Sequence, residues 1–80
     1  MKTNRIILDN DILAGKPVIR GTRISVELII ELMASGMTIP EILKEYPHLT
    51  NKDILAALEY AAQTLRAEEI IIEQENFLTK

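Results

Sequence analysis

The chain has no cysteine and no tryptophan, and its 80 residues include one histidine, one phenylalanine and two tyrosines. Without cysteine there is no disulfide staple, no thiolate metal site and no thiol nucleophile. A single histidine, His48, argues against zinc, which usually needs three or four protein ligands. Aromatics make up 4% of the chain while hydrophobic residues reach 48%, so the core has to be built from Ile, Leu, Val, Met and Ala. No apolar run approaches the roughly 18 residues that cross a bilayer, and no charged-then-apolar leader is present. The expectation is a soluble, cytoplasmic protein without a membrane partner. Glycine and proline number three each, so the place where they cluster is informative.

Eighty residues make one domain, and a chain of this size buries only about 60–65% of the surface it exposes when unfolded. A lone monomer of this kind is marginal, and its wealth of aliphatic residues favours self-association as a homodimer. The formal charge of −3 is unevenly spread. Residues 1–23 carry five cations against two acids, a balance of +3, and residues 24–80 carry four cations against ten acids, a balance of −6. A basic end on an acidic body directs an anionic partner to one face.

The scarce glycines and prolines meet in Gly15-Lys16-Pro17-Val18-Ile19-Arg20-Gly21-Thr22-Arg23. Gly15 and Gly21 suit tight turns, because glycine reaches positive φ without a steric cost. Pro17 suits a turn or an edge strand, and Val18-Ile19 favours an extended backbone. A turn at Gly21-Thr22 brings the guanidinium groups of Arg20 and Arg23 close together as an anion-binding corner.

Around this stretch the chain divides into a short β element and basic turn (1–24), a three-helix core (25–66) and an acidic C-terminal segment (67–80). Arg5 to Leu8 predicts a strand, ended by the turn Asp9-Asn10-Asp11, with Ile12-Leu13 packing inward before Gly15. Val18-Ile19 and the region of Arg23-Ile24 supply one or two more short strands. Ser25 is an N-cap for a helix from Val26 to about Ser35, with Val26, Ile29, Ile30 and Met33 on its buried stripe and Gly36 closing it. Thr38-Ile39-Pro40-Glu41 has capping-box spacing and opens a short second helix, which Tyr46-Pro47 ends. Thr50 and Asp53 repeat the capping logic for a long third helix that reaches at least Arg66. Glu68-Glu69 suit a helix and Ile70-Ile71-Ile72 suits a strand. The reading favours a break near residues 67–69, with a frayed tail from Asn76 to Lys80.

Little here supports catalysis. His48 follows a proline in a turn, with no serine placed near it in sequence, and reads as a polar turn residue. Asp9 and Asp11 read as turn caps, and the helical glutamates as a solvated face. The glycine stretch is neither a phosphate-binding Walker loop nor a dinucleotide fingerprint. The chain is therefore expected to be no enzyme and to hold no cofactor or metal.

Three helices with a short second one and a capped third match a mainly α, helix-turn-helix-like plan with a small N-terminal β element. In that plan the first turn of the third helix meets base edges, which puts Thr50, Asn51 and Lys52 forward. Asn bonds adenine and Lys bonds guanine or phosphate. Lys16, Arg20, Thr22 and Arg23 then stand beside the groove as phosphate holders. Against this, Asp53 and Glu59 on the same helix repel phosphates, and Asn51 and Lys52 also make an ordinary first helical turn.

The run Gly15 to Ile24, with Val26-Glu27-Leu28-Ile29, Tyr46-Pro47-His48-Leu49-Thr50, Asp53-Ile54 and Ala56 to Ala62, resembles the domain-of-unknown-function 433 family over roughly residues 3–66. The resemblance implies a small, usually self-associating prokaryotic helix-turn-helix protein. It also implies an antitoxin-like role beside a PIN-like ribonuclease toxin, neutralising the toxin and repressing its own operon on double-stranded DNA. It brings no catalytic residues. The alternative is a protein-interaction module that binds no DNA, which the acidic overall charge favours.

Overall fold

The computed structural model describes residues 4–79, with side chains through residue 67. Two short strands precede three helices. Strand β1 (Ile6–Leu8) pairs antiparallel with β2 (Pro17–Ile19) in the register Ile6–Ile19, Ile7–Val18 and Leu8–Pro17. Pro17 opens its strand at an edge, where a missing N–H donor costs least. A pair this small has no stability of its own and depends on what covers it. Val18 and Ile19 point to opposite faces of the strand, and both are buried.

The connection between the strands differs from the expectation that Ile12-Leu13 packs inward. Leu13, Ala14 and Gly15 form a tight helical turn with φ of 50°, 56° and 85°, all in the left-handed region. That twist turns Leu13 outward to 40% exposure and leaves Ile12 half-buried. The Asn10 side chain lies over Gly15, where an added Cβ would meet its Oδ1 at 2.8 Å.

Each helix begins as its capping residues dictate. Helix α1 (Val26–Ala34) is capped by Ser25, whose hydroxyl accepts the Leu28 N–H at 2.9 Å. Its end is a Schellman closure, with Gly36 N–H donating to Met33 and Met37 N–H to Leu32, and Gly36 at φ +106°. Helix α2 (Ile39–Glu45) opens with the full Thr38/Glu41 capping box and stops at Tyr46-Pro47.

Helix α3 (Asn51–Thr79) overturns the expected break at residues 67–69 and the frayed tail from Asn76, since it runs unbroken to Thr79; Lys80 lies outside the described residues. Once a helix is nucleated each added residue gains a hydrogen bond, and this segment has neither glycine nor proline to stop it. Its many Glu and Gln residues are good helix formers, and they outweigh the β preference of three isoleucines, which pair with no strand among the described residues. The acidic segment is therefore a continuation of α3.

One aliphatic cluster holds these parts together. Ile29 of α1, Ile42 of α2 and Ile54 of α3 are fully buried, and they meet Ile19, Ile24, Val26, Leu49 and Ala57. Each such isoleucine contributes about 1.5–3 kcal/mol by leaving water. Among the described residues no helix is long and apolar enough to cross a membrane.

Candidate nucleic-acid interface

The arginine turn is built by Gly21 and Thr22. Thr22 N–H donates to Ile19 O at 3.0 Å, and Gly21 sits third in that turn with φ +79°, a value type II geometry requires. The Thr22 hydroxyl donates to Ile19 O at 2.8 Å and accepts the Ile24 N–H at 2.9 Å. Ile19 N–H donates to Ile24 O at 2.9 Å and closes the loop. Arg20 and Arg23 stand exposed on this small frame. Thr22 thus serves the turn, not the surface.

At the other pole, Thr50 and Asp53 cap α3 reciprocally. Thr50 N–H donates to Asp53 Oδ2 at 3.0 Å, and Asp53 N–H to Thr50 Oγ1 at 3.2 Å. Thr50, Asn51 and Lys52 are exposed while Asp53 is buried. Burial alone would raise the Asp53 carboxyl. The Thr50 backbone N–H, the Arg5 guanidinium and the Thr50 hydroxyl outweigh that and hold it below the ordinary carboxylate value.

Arg5 joins the two poles. Its NH1 lies 3.0 Å from Asp53 Oδ1, and its carbonyl accepts the Arg20 N–H at 2.7 Å. The Arg20 side chain also donates through Nε to Asn4 O. The arginine turn and the first turn of α3 are thus no further apart than one arginine side chain and one backbone hydrogen bond. The Arg5 pairing also removes the objection that Asp53 repels phosphates, because that carboxylate is turned into the cap and neutralised. Glu59 lies further along α3, where Gln63 Nε2 donates to it at 3.3 Å.

Lys16 stands apart. Three extended residues, Pro17 to Ile19, lie between it and Arg20, so four steps along the strand separate the two by about 13 Å. Its Nζ pairs with Glu27 Oε1 at 3.0 Å. There it rims an open, mainly apolar groove of about 510 Å³ between α1 and α3, whose walls include Val26, Ile30, Tyr60, Ala61 and Leu65. Both ends of the Lys16–Glu27 pair are more than half exposed, so it contributes little to stability. His48 is an exposed turn residue, and no group of three His, Cys, Asp or Glu able to hold a metal occurs among the described residues.

The sequence puts Asp53 in its cap but gives Arg5 no site role, showing it as one cation among five and as the start of the first strand. A pairing that spans 48 residues leaves no local signal.

The model of a family described as a protein of unknown function, DUF433, matches residues 6–61. The chain belongs to the DUF433 family. A crystal structure of a DUF433 member from Anabaena variabilis ATCC 29413 is 31% identical, covers 89% of this chain and 70% of its own, and superposes with a TM-score of 0.76. No curated protein matches the chain. The DUF433 match takes in the strand pair, the arginine turn, the capped start of α3 and the core residues up to Ala61. It ends where α3 leaves the core.

Proposed function

We propose that this DUF433 chain is an antitoxin-like DNA-binding regulator that represses its own operon and neutralises a PIN-like ribonuclease. The observation that carries the reading is the Arg5 link, which ties the backbone of the turn bearing the exposed Arg20 and Arg23 to the α3 start that bears the exposed Asn51 and Lys52. In that arrangement Arg20 and Arg23 hold phosphates, which fix position without reading sequence. Asn51 and Lys52 approach base edges. Thr22 and Thr50 shape the two presenting turns, and Lys16 extends the footprint only when it leaves Glu27. No residue has a catalytic role.

A second reading, a protein-interaction module without DNA binding, is favoured by the apolar groove between α1 and α3 and by the acidic balance of residues 24–80. One experiment separates the two. The purified protein is titrated by fluorescence anisotropy against its own upstream duplex and a scrambled duplex at two salt concentrations. The regulator reading expects tighter binding to the first duplex, weakening with salt, and loss of affinity with a smaller salt slope in R20A/R23A. Equal and weak binding to both duplexes overturns it. Co-expression with the neighbouring reading frame then tests neutralisation, through relief of growth arrest.

A further inference from the structure

We propose that the groove between α1 and α3 is the docking site for one amphipathic helix of a partner protein. The docked helix buries an apolar stripe and carries lysine or arginine along the flank that meets α1. This docking rests on the reading of a chain that meets a protein partner, and it holds whether or not the chain also binds DNA.

The walls of the groove are two short apolar ridges at helical spacing. Val26 and Ile30 lie four apart on α1, and Ala61 and Leu65 lie four apart on α3. Each ridge spans one helical turn, about 6 Å along its axis. The small Ala61 stands between the larger Tyr60 and Leu65 and leaves room for an incoming side chain. A trough between two such ridges is the surface into which the ridge of a third helix packs. Its usual occupant presents apolar residues at i, i+3, i+4 and i+7. Leu65 is 59% exposed, so this wall has no cover among the described residues.

The chemistry of the lining favours a helix over a small ligand. A small-molecule site closes around its ligand and orients it with a few placed polar groups. This groove is open, and its charged side chains, Lys16, Glu27 and Glu31, are all exposed. The Thr64 hydroxyl is already used, donating to Tyr60 O at 3.0 Å.

Charge then selects the kind of helix. Glu27 and Glu31 lie four apart on α1 and both line the groove. Lys16 is the one cation among the described lining residues, and Glu27 holds it at 3.0 Å. No cation pairs with the Glu31 carboxylate among the described residues. The α3 wall of Tyr60, Ala61, Thr64 and Leu65 carries no charge. An incoming helix therefore meets negative charge on one flank only, where a row of lysine or arginine is complementary and a row of glutamate is repelled. Tyr60 lies nine residues along α3 from Asn51, about 14 Å, so a docked helix leaves the α3 start free.

Fluorescence anisotropy with a labelled model peptide tests the docking. The peptide has about 16 residues, leucine at i, i+3, i+4 and i+7 and lysine along one flank, and its twin has glutamate there. The full-length chain is expected to bind the lysine peptide saturably, with a Kd on the order of 10–100 μM, and the twin about tenfold more weakly. Leu65→Ser, at an exposed position, is expected to weaken the lysine peptide about fivefold. Glu31→Lys is expected to weaken it about fivefold and to tighten the glutamate twin, while circular dichroism shows the helices retained. Binding that fails to saturate by about 1 mM overturns the proposal, as does equal affinity for the twins or indifference to both substitutions. So does a sedimenting mass that changes with Leu65→Ser, which gives the groove to a second copy. Relief of growth arrest by the Glu31→Lys/Leu65→Ser double variant overturns the groove as the partner's seat and leaves the neutralisation reading standing. Peptide binding by a wild type that relieves no arrest upholds the groove and removes the nuclease as its partner.

Discussion

Arg5 NH1 and Asp53 Oδ1 lie 3.0 Å apart, so the strand pair and the start of α3 are tied through a carboxylate that also caps the helix. The two ends of this ion pair differ in setting: the Arg5 side chain is 42% exposed and that of Asp53 is 12% exposed. Most of the effect therefore resides in the cap and its orientation, since an ion pair open to solvent on one side is strongly screened.

Asp53→Asn should cost about 1–2 kcal/mol at neutral pH, the usual effect of losing a charge-assisted hydrogen bond. The sign of its pH dependence follows from the lowered folded pKa. Such a group stabilises the fold above its unfolded pKa of about 3.9 and loses that contribution as pH falls through the folded value. Urea unfolding of both proteins from pH 7 to pH 2 should show the gap between them closing below about pH 4. A gap constant across that range would mean the carboxylate charge has no part in the stability.

Thr22→Val should separate the turn from the surface it presents. The hydroxyl both donates to Ile19 O and accepts from Ile24 N–H, so its loss should cost about 1–2 kcal/mol. On the proposed DNA-binding reading, affinity for the upstream duplex should fall with it as Arg20 and Arg23 lose their frame, and Thr22→Ser should recover both. Thermal melts and anisotropy titrations on the same preparations check this.

The same proposed reading expects Asn51→Ala and the Arg20/Arg23 pair to fail differently on DNA. Removing Asn51 should cost about 1–3 kcal/mol on the cognate duplex and little on a scrambled one. Removing the arginines should weaken both duplexes alike and reduce the salt slope by about one for each phosphate that is no longer neutralised. Competition titrations at three salt concentrations distinguish the patterns.

Ala14→Gly should stabilise the protein slightly despite deleting a methyl group. A left-handed φ of 56° costs a non-glycine residue about 1–2 kcal/mol, and Ala14 is exposed, so little packing is forfeited. The more flexible unfolded chain returns about 0.4–1 kcal/mol of that. Gly36→Ala, at φ +106°, should do the reverse and destabilise by about 1 kcal/mol. Chemical denaturation of the two variants gives both signs.

Local sequence sets where the helices begin, because caps act within four residues. Ser25, Thr38 with Glu41, and Thr50 with Asp53 all bond as their spacing predicts. It determined the stops at Gly36 and Pro47 for the same reason, and the aliphatic core through periodicity. The remainder depends on how the elements pack. That Leu13 turns outward follows from three successive left-handed residues, two of them non-glycine, which no local preference foretells. That α3 runs past residues 67–69 was hidden because Ile70-Ile71-Ile72 is compatible with either state, and propagation of a long helix through a Glu- and Gln-rich stretch without glycine or proline decides for α. That Lys16 leaves the arginines for Glu27, while Arg5 joins them to α3, depends on pairings that span 11 and 48 residues. Pairings of that reach are set by how the elements pack, and no short window of sequence contains both partners.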